Sequence, residues 1–554
     1  MSAVLLATAT PNLVLVTIDT LRADRLGCYG HVPSPSPNID DLAHNAVVFE
    51  DATASSPLTL PSHTTMLSGL PVPSHGVRVN ADVVGEDVPL VVERLSAEGY
   101  HTAAFVSGSP LSADAGLARH FEVYDDDRPH RPGGARFPPE RRAEDTARAA
   151  AAWIGSAPEP FFTWVHFFDP HSPYTPPDEW EGDDPYDGEV AAADAGVGVV
   201  LRALEERRGR TVVVMAADHG EALGDHGELS HGVFLYQATV RVALMVHAPG
   251  VEPARSDRVV GLVDLAPTLL ALAGIPDPSL PGVDLLSAGS TPRKQPLVAV
   301  TDHAQRRFGW SPVSAVRQGP YKYIEAPRPE LYELQDDPAE TKNLVVEQPN
   351  RVVEMRVALA SVETGGARVS TGADLDRERV AELIALGYVA APAAPTTEIG
   401  PDPKDRVHVL PAMEQAARAI YEGRYEEARV ALEPVVEKDP TNPAAWNDLG
   451  IALNELGRHD DAVGAFGHAI EATPKDASLW NNLGQAESRA GRPDAAREAY
   501  AEAAGLSPGF AAPCVNLAVL EYRAGNAGAA RKWAEEALRR EPGMKEARDV
   551  LDHL

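Results

Sequence analysis

The length, composition and charge of this chain limit the classes of protein to which it can belong. Its 554 residues exceed one ordinary hydrophobic core, so about two to four domains are expected. An apolar content of 44% and a charged content of 23% are globular values. The net charge of −32 argues against a nucleic acid or an anionic membrane as partner. With only Cys28 and Cys514 there is no disulfide framework, which allows a reducing compartment.

The N-terminal residues Met1–Pro11 give no sign of export. They contain no basic residue and only a brief apolar run, which makes a poor signal peptide. No later window approaches the roughly 18 uninterrupted apolar residues of a membrane span. We therefore expect a cytoplasmic protein without a membrane span. The alternative is export, if the true start lies upstream.

Residues 12–390 alternate short apolar runs with helical patterns. The runs Asn12–Ile18, Phe161–Phe168 and Thr211–Ala217 are typical of strands buried on both faces. Strands alternating with helices predict an α/β fold, a doubly wound and mostly parallel sheet with helices on both faces. Further strands are predicted at Thr102–Val106, Val242–Val246 and Leu297–Val300, and helices at Asn38–Asn45, Val88–Glu98, Arg142–Ile154, Glu189–Arg207 and Val263–Ala273.

Three stretches are expected to be irregular. Asp127–Glu140 is rich in Pro, Arg and Gly, and Ser172–Tyr186 is rich in Pro and acidic residues, so both predict surface loops. Residues 391–406 place several prolines among alanines and threonines without an apolar period, which predicts a semi-rigid linker. The predicted domains are therefore residues 1–390 and 407–554.

Beyond the linker the sequence repeats with a period of 34 residues. The period is kept by two sets of residues, Pro440, Pro474, Pro508 and Pro542, and Gly423, Gly457, Gly491 and Gly525. This pattern resembles tetratricopeptide repeats, helix pairs that stack into an all-α superhelix and bind peptides or partner proteins. We expect four repeats, a capping helix over Met544–Leu554, and a face on which Asn447, Asn481 and Asn516 clamp a peptide, although these residues could equally cap or be solvated. The repeats are predicted at residues 407–440, 441–474, 475–508 and 509–542.

Each of three predicted strands in the first domain is followed by residues that bind metal ions. In chain order these are Asp19, then Asp169 and His171, then Asp218 and His219. Ligands of α/β sheets bind beyond the carboxyl ends of the strands, and Asp and neutral His are ligands of zinc and manganese. A single Asp after a strand is more often a helix cap or turn residue. Three strand ends together favour a metal site.

A hydroxyl-rich segment lies between the first two of these strands. Ser55–Gly69 begins with a Ser/Pro cluster and leads into a helix that is predicted to start near Pro61. A hydroxyl at this helix end lies in the positive field of the helix, which favours an alkoxide and an attacked anion. Alone, such a residue is more often an N-cap. Near two metal-binding strand ends, Thr59 becomes a candidate nucleophile.

Several motifs of the first domain resemble the sulfatase family of the alkaline phosphatase superfamily over about residues 12–390. They are Val16–Gly30, Pro37–Ala43, Phe167–Tyr174, Val263–Thr268 and Leu331–Leu344. The family's nucleophile is a Cys, sometimes a Ser, in Cys-x-Pro-Ser-Arg that is oxidised to formylglycine. Here Thr59 stands in its place, and oxidation of Thr would give a ketone. The hydrated-aldehyde mechanism is therefore unavailable to this chain.

Other departures from the family motifs change the expected metal site. Thr20 replaces the second Asp of a pair, His219 replaces an Asn ligand, and His231 stands at the position of the sulfate-binding Lys. Mixed oxygen and nitrogen ligands suit zinc or manganese more than calcium. The combination is similar to the threonine-nucleophile branch of the superfamily, which includes phosphoethanolamine transferases, lipoteichoic-acid synthases and nucleotide pyrophosphatases.

This resemblance implies roles for the candidate residues. Asp19, Thr59, Asp218 and His219 would hold a first divalent metal ion. His171 and His231 would hold a second ion or grip the transferred group, with Asp169 as a further candidate. His63 stands where the family has an Arg beside the nucleophile, which implies a supporting catalytic role.

Other residues near the motifs have two interpretations each. Glu221 would orient His219 or cap a following helix, and His226 would be an extra ligand or a turn residue. His75 and Asn80 fit family positions at the rim of the site. His166 and His247 are expected to be core histidines with satisfied hydrogen bonds.

The expected function is that of a metal-dependent hydrolase or transferase that attacks a phosphate or phosphodiester-type ester through Thr59. Sulfate fits less well in this interpretation, because two dications would stabilise its single charge less than that of a phosphoryl group. Two alternatives remain, a sulfatase that works without formylglycine and a repeat scaffold with a silent first domain. One or two zinc or manganese ions, an ester substrate and a protein partner of the repeats are the expected ligands.

Overall fold

The computed structural model describes residues 10–127, 141–287, 293, 295–362, 370–371 and 400–554. The described residues form two compact units, which are treated separately. The N-terminal unit lies within Met1–Asp302 and Pro312–Val369, and the C-terminal unit lies within His303–Ser311 and Ser370–Leu554. The loop predicted at Asp127–Glu140 lies outside the described residues except for Asp127, as does most of the predicted linker.

A large mixed sheet forms the centre of the N-terminal unit. Its strands are β1 (Asn12–Ile18), β2 (Val47–Thr53), β4 (His101–Val106), β5 (Val123–Asp125), β6 (Phe161–Phe167), β7 (Thr211–Ala217), β8 (Arg241–Val242), β9 (Leu244–His247) and β10 (Ala254–Gly261). Among the described residues the order is β10-β2-β9-β7-β1-β6-β4-β5, with β8 beside β2. All pairs are parallel except those that β8 and β9 make. The predicted mostly parallel α/β sheet is confirmed.

The centre of this sheet is buried on both faces because its strands consist almost wholly of apolar residues. β1, β6 and β7 are buried at every position. Ile18, the last residue of β1, lies opposite both Phe167 and Ala217. The carboxyl ends of these three strands therefore meet at one edge, which is where the candidate ligands follow.

The N-terminal unit contains the helices that the sequence predicts, with shifted ends, and three that were not predicted. They are α1 (Pro37–His44), α2 (Thr59–Ser68), α3 (Val72–His75), α4 (Val91–Ala97), α5 (Ala143–Ser156), α6 (Pro185–Ala203), α7 (Gln237–Val240) and α8 (Leu265–Leu272), and α10 (Pro349–Ala360) comes later in the chain. The helices that were not predicted are α3, α7 and α10. α6 starts earlier than predicted because the Asp184 carboxylate accepts a hydrogen bond from the backbone N–H of Tyr186. The helix therefore shortens the expected loop Ser172–Tyr186.

A second, smaller sheet was not predicted. Its strands β11 (Leu297–Thr301), β12 (Val313–Gln318), β13 (Tyr321–Glu325) and β14 (Glu330–Glu333) are antiparallel and in sequence order. The predicted strand at Leu297–Val300 therefore belongs to this sheet and not to the doubly wound one. Its core packs Val298, Val316 and Tyr323 against Met355 of α10. A short strand β3 (Asp82–Val83) lies elsewhere in the N-terminal unit.

The C-terminal unit consists largely of paired helices. They are α11 (Pro403–Arg406), α12 (Leu410–Tyr421), α13 (Tyr425–Lys438), α14 (Pro443–Glu455), α15 (His459–Ala472), α16 (Ala477–Arg489), α17 (Pro493–Leu506), α18 (Ala512–Arg523), α19 (Ala527–Arg540) and α20 (Lys545–Asp552). From α12 to α19 they form four pairs in the described residues, as the period predicts, and α20 stands where the capping helix is expected. α11 lies at the end of the predicted linker, so that part is helical.

A glycine with a left-handed backbone stands two residues after the end of the first helix of each pair. Gly423, Gly457, Gly491 and Gly525 have φ between 72° and 79°. These are the glycines that repeat every 34 residues, and their conformation is one that β-carbons disfavour. A two-residue strand β15 (Ser370–Thr371) also belongs to this unit.

A short segment from the first predicted domain belongs to the C-terminal unit. Helix α9 (His303–Phe308) and the following residues to Ser311 pack with the repeats. Trp310 is fully buried, and its Nε1 donates a hydrogen bond to Asp439 Oδ2 at 2.7 Å.

In the part of the chain that the structure describes, no helix is long and apolar enough to cross a bilayer.

Candidate active site

Parallel pairing brings the first and third candidate strand ends together. Asp19 follows β1 and Asp218 follows β7, and the backbone N–H of Asp218 donates to the carbonyl of Ile18 at 3.3 Å. One ligand atom from each of Asp19, Asp218 and His219 lies within 4.8 Å of the others. All three residues are fully buried. The predicted convergence of these residues is therefore seen in the structure.

The atoms that face one another in this cluster have no hydrogen-bond partner among the described residues. They are Asp19 Oδ1, Asp218 Oδ2 and His219 Nε2. His219 Nε2 lies 3.5 Å from Asp19 Oδ1 and 3.7 Å from Asp218 Oδ2. Ligand atoms around a tetrahedral zinc ion lie about 3.3 Å apart. Buried polar atoms without partners are costly, so the cluster fits a bound cation.

The remaining atoms of the cluster are held by the protein. His219 Nδ1 lies 3.0 Å from the Gly220 carbonyl, which can only accept, so Nδ1 carries the proton and Nε2 the lone pair. Asp218 Oδ1 accepts from the backbone N–H groups of His219 at 2.7 Å and Thr20 at 3.2 Å. Thr20 has a φ of 53°, an unusual conformation for a β-branched residue. Such contacts leave one face of each ligand for a metal ion.

Electrostatics also favours a cation in this cluster. Burial and the charge of Glu221 raise the pKa of Asp19 well above its ordinary value. Burial and the charge of Asp19 do the same to the pKa of Asp218. Burial and His231 lower the pKa of His219 well below its ordinary value, which keeps the imidazole neutral. A divalent cation would remove the repulsion between the two carboxylates and hold both in the ionised form.

Thr59 lies beside this cluster at the start of α2. Its Oγ1 donates a hydrogen bond to Asp19 Oδ2 at 3.4 Å, and the side chain is fully buried. The helix end is fixed because the backbone N–H of Leu60 donates to Asn80 Oδ1 at 2.9 Å. Ser62 Oγ donates to the Asp218 carbonyl at 2.6 Å, which ties the helix to the strand end. α2 starts at Thr59, two residues before the predicted Pro61.

His63 lies one turn into α2, beneath the cluster. Its Nδ1 is 2.8 Å from the Thr59 carbonyl and 3.6 Å from Asp218 Oδ2, and its Nε2 is 3.0 Å from Thr17 Oγ1. Burial and the neighbouring His166 lower the pKa of His63 well below its ordinary value. A neutral imidazole therefore stands where the resembling family has an Arg. These contacts agree with the predicted supporting position of His63.

His166 is closer to the cluster than the sequence predicted. Its Nδ1 lies 3.0 Å from Thr17 Oγ1, but its Nε2 lacks a hydrogen-bond partner in the described residues and lies 3.6 Å from Asp19 Oδ2. The expectation of a satisfied core histidine is wrong for this nitrogen. The register that pairs Thr17 with His166 causes the approach, since Asp19 follows Thr17 by two residues. A predicted register between β1 and β6 could have revealed it.

His171 and His231 lie on the open side of His219. The ring centroids of His231 and His219 are 4.6 Å apart, and those of His231 and His171 are 5.2 Å apart. His171 Nδ1 donates to the Ser172 carbonyl at 2.6 Å, and its ring stacks on Phe168. Burial lowers the pKa of both His171 and His231 to about 3. The structure therefore places His171 and His231 beside His219.

A second metal site is not formed by these histidines in the described structure. Its residues contain one group of three metal-ligand side chains, the cluster of Asp19, Asp218 and His219. Asp169 is used elsewhere, because its carboxylate accepts from the backbone N–H of Ala143 at 2.9 Å and from Arg142 at 3.1 Å. It caps α5 and does not face the cluster. Metal binding by His171 and His231, or contact of these residues with the transferred group, stays a prediction.

Comparisons with known proteins agree with this geometry. A family model described as sulfatase matches residues 11–275, and two models described as tetratricopeptide repeat match residues 419–486 and 482–545. The chain carries a sulfatase family domain in the alkaline phosphatase-like fold, with C-terminal tetratricopeptide repeats. The resemblance drawn from the sequence motifs is confirmed. The sulfatase domain makes the chain a sulfatase-family hydrolase, and members of that family use divalent metal ions.

Two curated relatives and one solved structure illustrate the similarity. The chain is 25% identical over 416 residues to a Delta 4,5-hexuronate-2-O-sulfatase of Bacteroides thetaiotaomicron, covering 60% of this chain and 84% of the relative. It is 27% identical over 467 residues to human arylsulfatase A, covering 67% and 90%. The phosphonate monoester hydrolase of Agrobacterium radiobacter shares the fold with a TM-score of 0.55 and 20% identity, over 64% of this chain and 95% of that one.

Glu221 of the sulfatase domain contacts a different histidine from the one predicted. Its Oε1 lies 3.1 Å from His231 Nδ1, whereas His219 Nδ1 is taken by Gly220. Residues 219–224 are not helical, so Glu221 caps no helix either. Burial raises the pKa of Glu221 to about 8. Both earlier interpretations of this residue are corrected.

The other residues singled out from the sequence are structural in the sulfatase domain. His226 lies in an exposed turn, stacks on Tyr236 and contacts the Ala339 carbonyl at 3.2 Å. His75 is fully buried and contacts Thr65, so it does not line the rim. The remaining two are Asn80, which caps α2, and His247, whose Nδ1 donates to the Asn45 carbonyl at 2.7 Å as expected.

Proposed function

We propose that the sulfatase domain hydrolyses esters whose reacting group carries a single negative charge, a sulfate monoester first, by attack of Thr59. The observation that carries this proposal is the charge of the buried site. Two ionised carboxylates, Asp19 and Asp218, contribute two negative charges, and one divalent cation cancels them. The bound site is therefore close to neutral before the substrate enters, provided that Glu221 is in its neutral form, and burial raises the pKa of Glu221 to about 8.

No other uncompensated positive charge adds to this balance among the site residues described above. His63, His171, His219 and His231 are buried and neutral, since the pKa of each is lowered. Arg22, beside the loop that follows His219, is paired with Asp24 and Asp225. A doubly charged phosphate monoester would therefore bring more negative charge than this site compensates.

This proposal revises the preference for phosphate that the sequence suggested. That preference assumed two dications, and the described residues offer one metal-ligand cluster. The names of the two relatives, a hexuronate-2-O-sulfatase and an arylsulfatase, also support a sulfate ester. Sulfate monoesters carry one charge, which matches the site.

A second candidate is a phosphonate monoester or a phosphodiester, which also carries one charge. Thr59 favours it, because a hydroxyl can displace a leaving group at phosphorus directly and needs no aldehyde. The structural similarity to a phosphonate monoester hydrolase points the same way. Both candidates use Thr59 as the nucleophile. An assay that compares sulfate esters with phosphonate esters and phosphodiesters distinguishes them.

Asp19, Asp218 and His219 are the residues that would hold the cation, and Thr59 lies beside them. A mixed set of carboxylates and imidazole suits zinc or manganese more than calcium, which prefers six to eight oxygen ligands. When bound, the cation supplies positive charge that lowers the pKa of the Thr59 hydroxyl and stabilises charge in the transition state.

The chain's own residues account for the remaining steps. Thr59 gives its proton to Asp19 Oδ2, the carboxylate oxygen 3.4 Å away, as Oγ1 attacks sulfur. The bond from sulfur to the leaving oxygen breaks, and the alcohol leaves with the proton that Asp19 received. Water then attacks sulfur, the bond to Thr59 Oγ1 breaks, one proton of the water restores the hydroxyl, and hydrogen sulfate is released. His171 and His231, next to His219, are placed to contact the oxygens of the transferred group.

The repeats are proposed to dock a peptide or a protein. Their first helices carry a ladder of asparagine amides, in which Asn482 Nδ2 donates to Asn447 Oδ1 at 3.0 Å and Asn516 Nδ2 donates to Asn481 Oδ1 at 2.9 Å. The ladder orders these amides along consecutive helices, although Asn481 is buried. Asn447 and Asn516 are the partly exposed members of the predicted clamp.

The test is an ester panel on purified full-length protein, stripped of metal and reloaded with zinc or manganese. The panel contains p-nitrophenyl sulfate, p-nitrophenyl phosphate, a p-nitrophenyl phosphonate and bis(p-nitrophenyl) phosphate. We expect turnover of singly charged esters and at least about 100-fold lower kcat/KM for the phosphate monoester, a difference of about 2.7 kcal/mol. A preference for the phosphate monoester would contradict the proposal.

A further inference from the structure

The ten-residue spacing of Glu221 and His231 has a structural cause in a closed loop. The backbone N–H groups of Ala222, Leu223 and Gly224 donate to the carbonyls of Ser230, Leu229 and Glu228 at 2.8, 3.1 and 2.8 Å. Each of these pairs is one residue closer to the turn at Asp225–Gly227 than the pair before it, and the register continues outward from Ala222 and Ser230. Glu221 and His231 are the next pair in this register, so the loop sets them opposite each other.

The loop is also anchored from outside. Arg22 Nη1 donates to the carbonyls of Glu221 at 3.1 Å and Ala222 at 3.2 Å, and to the carboxylate of Asp225 at 2.9 Å. Arg22 itself is held by Asp24. These contacts fix the backbone from which the Glu221 side chain projects, and they give that side chain a constant direction.

Each oxygen of the Glu221 carboxyl group has a hydrogen-bond partner. Oε1 lies 3.1 Å from His231 Nδ1, and Oε2 accepts a hydrogen bond from the Tyr174 hydroxyl at 3.0 Å. The side chains of Glu221 and His231 are 0% and 2% exposed. The contact occupies Nδ1 of the imidazole and fixes the orientation of the ring, so that Nε2 is the nitrogen directed away from Glu221.

We propose that Glu221, held by Tyr174, is the positioning residue that orients His231 toward the ester group bound beside Thr59. This inference rests on the proposed function. His231 stands at the position where the resembling family has a lysine, whose flexible chain and three donors need no such support. An imidazole has one donor and one acceptor in a fixed plane. The carboxylate therefore supplies the orientation that the histidine lacks by itself.

The first experiment measures kcat and KM with p-nitrophenyl sulfate or the best ester of the panel. We expect Glu221→Ala to lower kcat about 100-fold with KM changed less than about threefold. Glu221→Gln keeps an acceptor for Nδ1 and should retain at least a tenth of the wild-type kcat. Tyr174→Phe should lower kcat about fivefold. Glu347→Gln, a change of an exposed glutamate, is the matched control and should change neither constant.

A double-mutant cycle separates positioning from a general structural effect. In the His231→Ala background, Glu221→Ala should change kcat less than about threefold, because the residue it orients is gone. Losses that multiply in the double variant would overturn the proposal, as would a Glu221→Gln variant as slow as Glu221→Ala. If Glu221→Ala does not fold, the same double-mutant cycle is measured with Tyr174→Phe and His231→Ala.

A spectroscopic measurement tests the contact independently of turnover. With ¹⁵N-labelled histidine, the Nδ1 resonance of His231 in wild type should show the shift of a hydrogen-bonded nitrogen, and it is assigned by its disappearance in His231→Ala. The signal should be lost from this position in Glu221→Ala and retained there in Glu221→Gln. An unchanged signal in Glu221→Ala would overturn the proposal. Wild type that shows the signal but turns over no ester would contradict the proposed function alone.

Discussion

Single atoms of Asp19, Asp218 and His219 determine what the buried cluster can bind. Their facing atoms lack protein partners, whereas the other oxygen or nitrogen of Asp218 and His219 is fixed by backbone groups. Such a set is costly in an empty protein interior and favourable around a cation. The stability of the site and its metal affinity should therefore depend on the same side chains.

Replacement of Asp218 tests this dependence. Asp218→Asn should weaken metal binding at least about 100-fold, because one charged ligand is lost while the volume is kept. The measurement is metal content after dialysis, by elemental analysis. Asp194→Asn is the matched control, since Asp194 is also buried but accepts hydrogen bonds from Asn38 and Ile39 of α1. Equal metal content in Asp218→Asn and wild type would contradict the assignment.

His75 gives a prediction for the pH dependence of stability. Burial lowers the pKa of His75 to about 3 from 6.5, and the neutral ring accepts from the N–H of Val77. Below pH 6.5 the unfolded chain binds a proton at His75 and the folded chain does not. The stability that His75 contributes above this pH is therefore lost as the pH falls. The contribution is about 2 kcal/mol between pH 6.5 and about pH 5.

Urea unfolding at several pH values checks the His75 prediction. Between pH 6.5 and about pH 5, the free energy of unfolding of His75→Gln should fall less steeply than that of wild type. The difference in slope corresponds to the uptake of roughly one proton on unfolding. The variant should be less stable at neutral pH, since the contact with Thr65 is altered. Parallel pH profiles of the two proteins would show that His75 is not the group responsible.

Motif spacing was sufficient to predict most site residues, but not all of their contacts. Asp19, Asp218 and His219 follow apolar strands whose parallel pairing brings them together. The approach of His166 to Asp19 depends on the register of β1 and β6, which the sequence does not state. The pairing of Glu221 with His231 depends on a loop closed by backbone hydrogen bonds, which are independent of side-chain identity.

At the scale of elements, the packing of two of the four helix pairs depends on a missing β-carbon. A Cβ on Gly450 of α14 would lie 2.7 Å from the Phe466 ring of α15, and one on Gly484 of α16 would lie 2.6 Å from the Tyr500 ring of α17. The aromatic side chain of the second helix therefore lies directly on the backbone of the first. This contact explains the glycines after Leu449 and Leu483, whereas Ala518 follows Leu517 in the next repeat.

Substitution of these glycines should destabilise the repeats. Gly450→Ala should lower the free energy of unfolding by about 1–3 kcal/mol, because the added methyl overlaps the buried ring of Phe466. Gly464→Ala on α15 is the control, since nothing lies within 4 Å of its Cβ and alanine favours the helix. Circular dichroism during urea unfolding measures both. A stabilised Gly450→Ala variant would contradict the packing account.

Element types were more predictable than their partners. Buried strands and amphipathic helices leave clear periods, and the positions of β1, β6 and β7 agree with the prediction to within one residue. The strand predicted at Val242–Val246 is split into β8 and β9 at Ala243, because only residues on either side pair with β2. The antiparallel sheet β11–β14 was missed since an isolated apolar run does not reveal its neighbours.

At the scale of the whole molecule, the two compact units do not follow the chain order completely. His303–Ser311 lies in sequence between parts of the N-terminal unit but packs within the C-terminal unit. Trp310 anchors it through the hydrogen bond to Asp439, and a Cβ on Gly400 would lie 2.2 Å from the Gly309 carbonyl. The predicted boundary at residue 390 could not include this segment, because its docking depends on contacts distant in sequence.

Removal of the Trp310 side chain tests the role of this segment. Trp310→Ala should lower the stability of the C-terminal unit by about 3–5 kcal/mol, because a fully buried ring is lost and Asp439 loses a donor. Trp180→Ala is the control, because Trp180 is 37% exposed. Urea unfolding followed by circular dichroism provides the measurement. A change in Trp310→Ala no larger than in Trp180→Ala would contradict the docking of this segment.

The central claim is that Thr59 forms a bond to the transferred group. The direct measurement is rapid quenching of metal-loaded protein during turnover, followed by peptide mass spectrometry. The account predicts one sulfuryl or phosphoryl adduct on Thr59, lost as turnover ends and absent from Thr59→Ala, which should keep its metal ion and lose at least about 1,000-fold in kcat. An adduct on another residue, or full activity in Thr59→Ala, would contradict it.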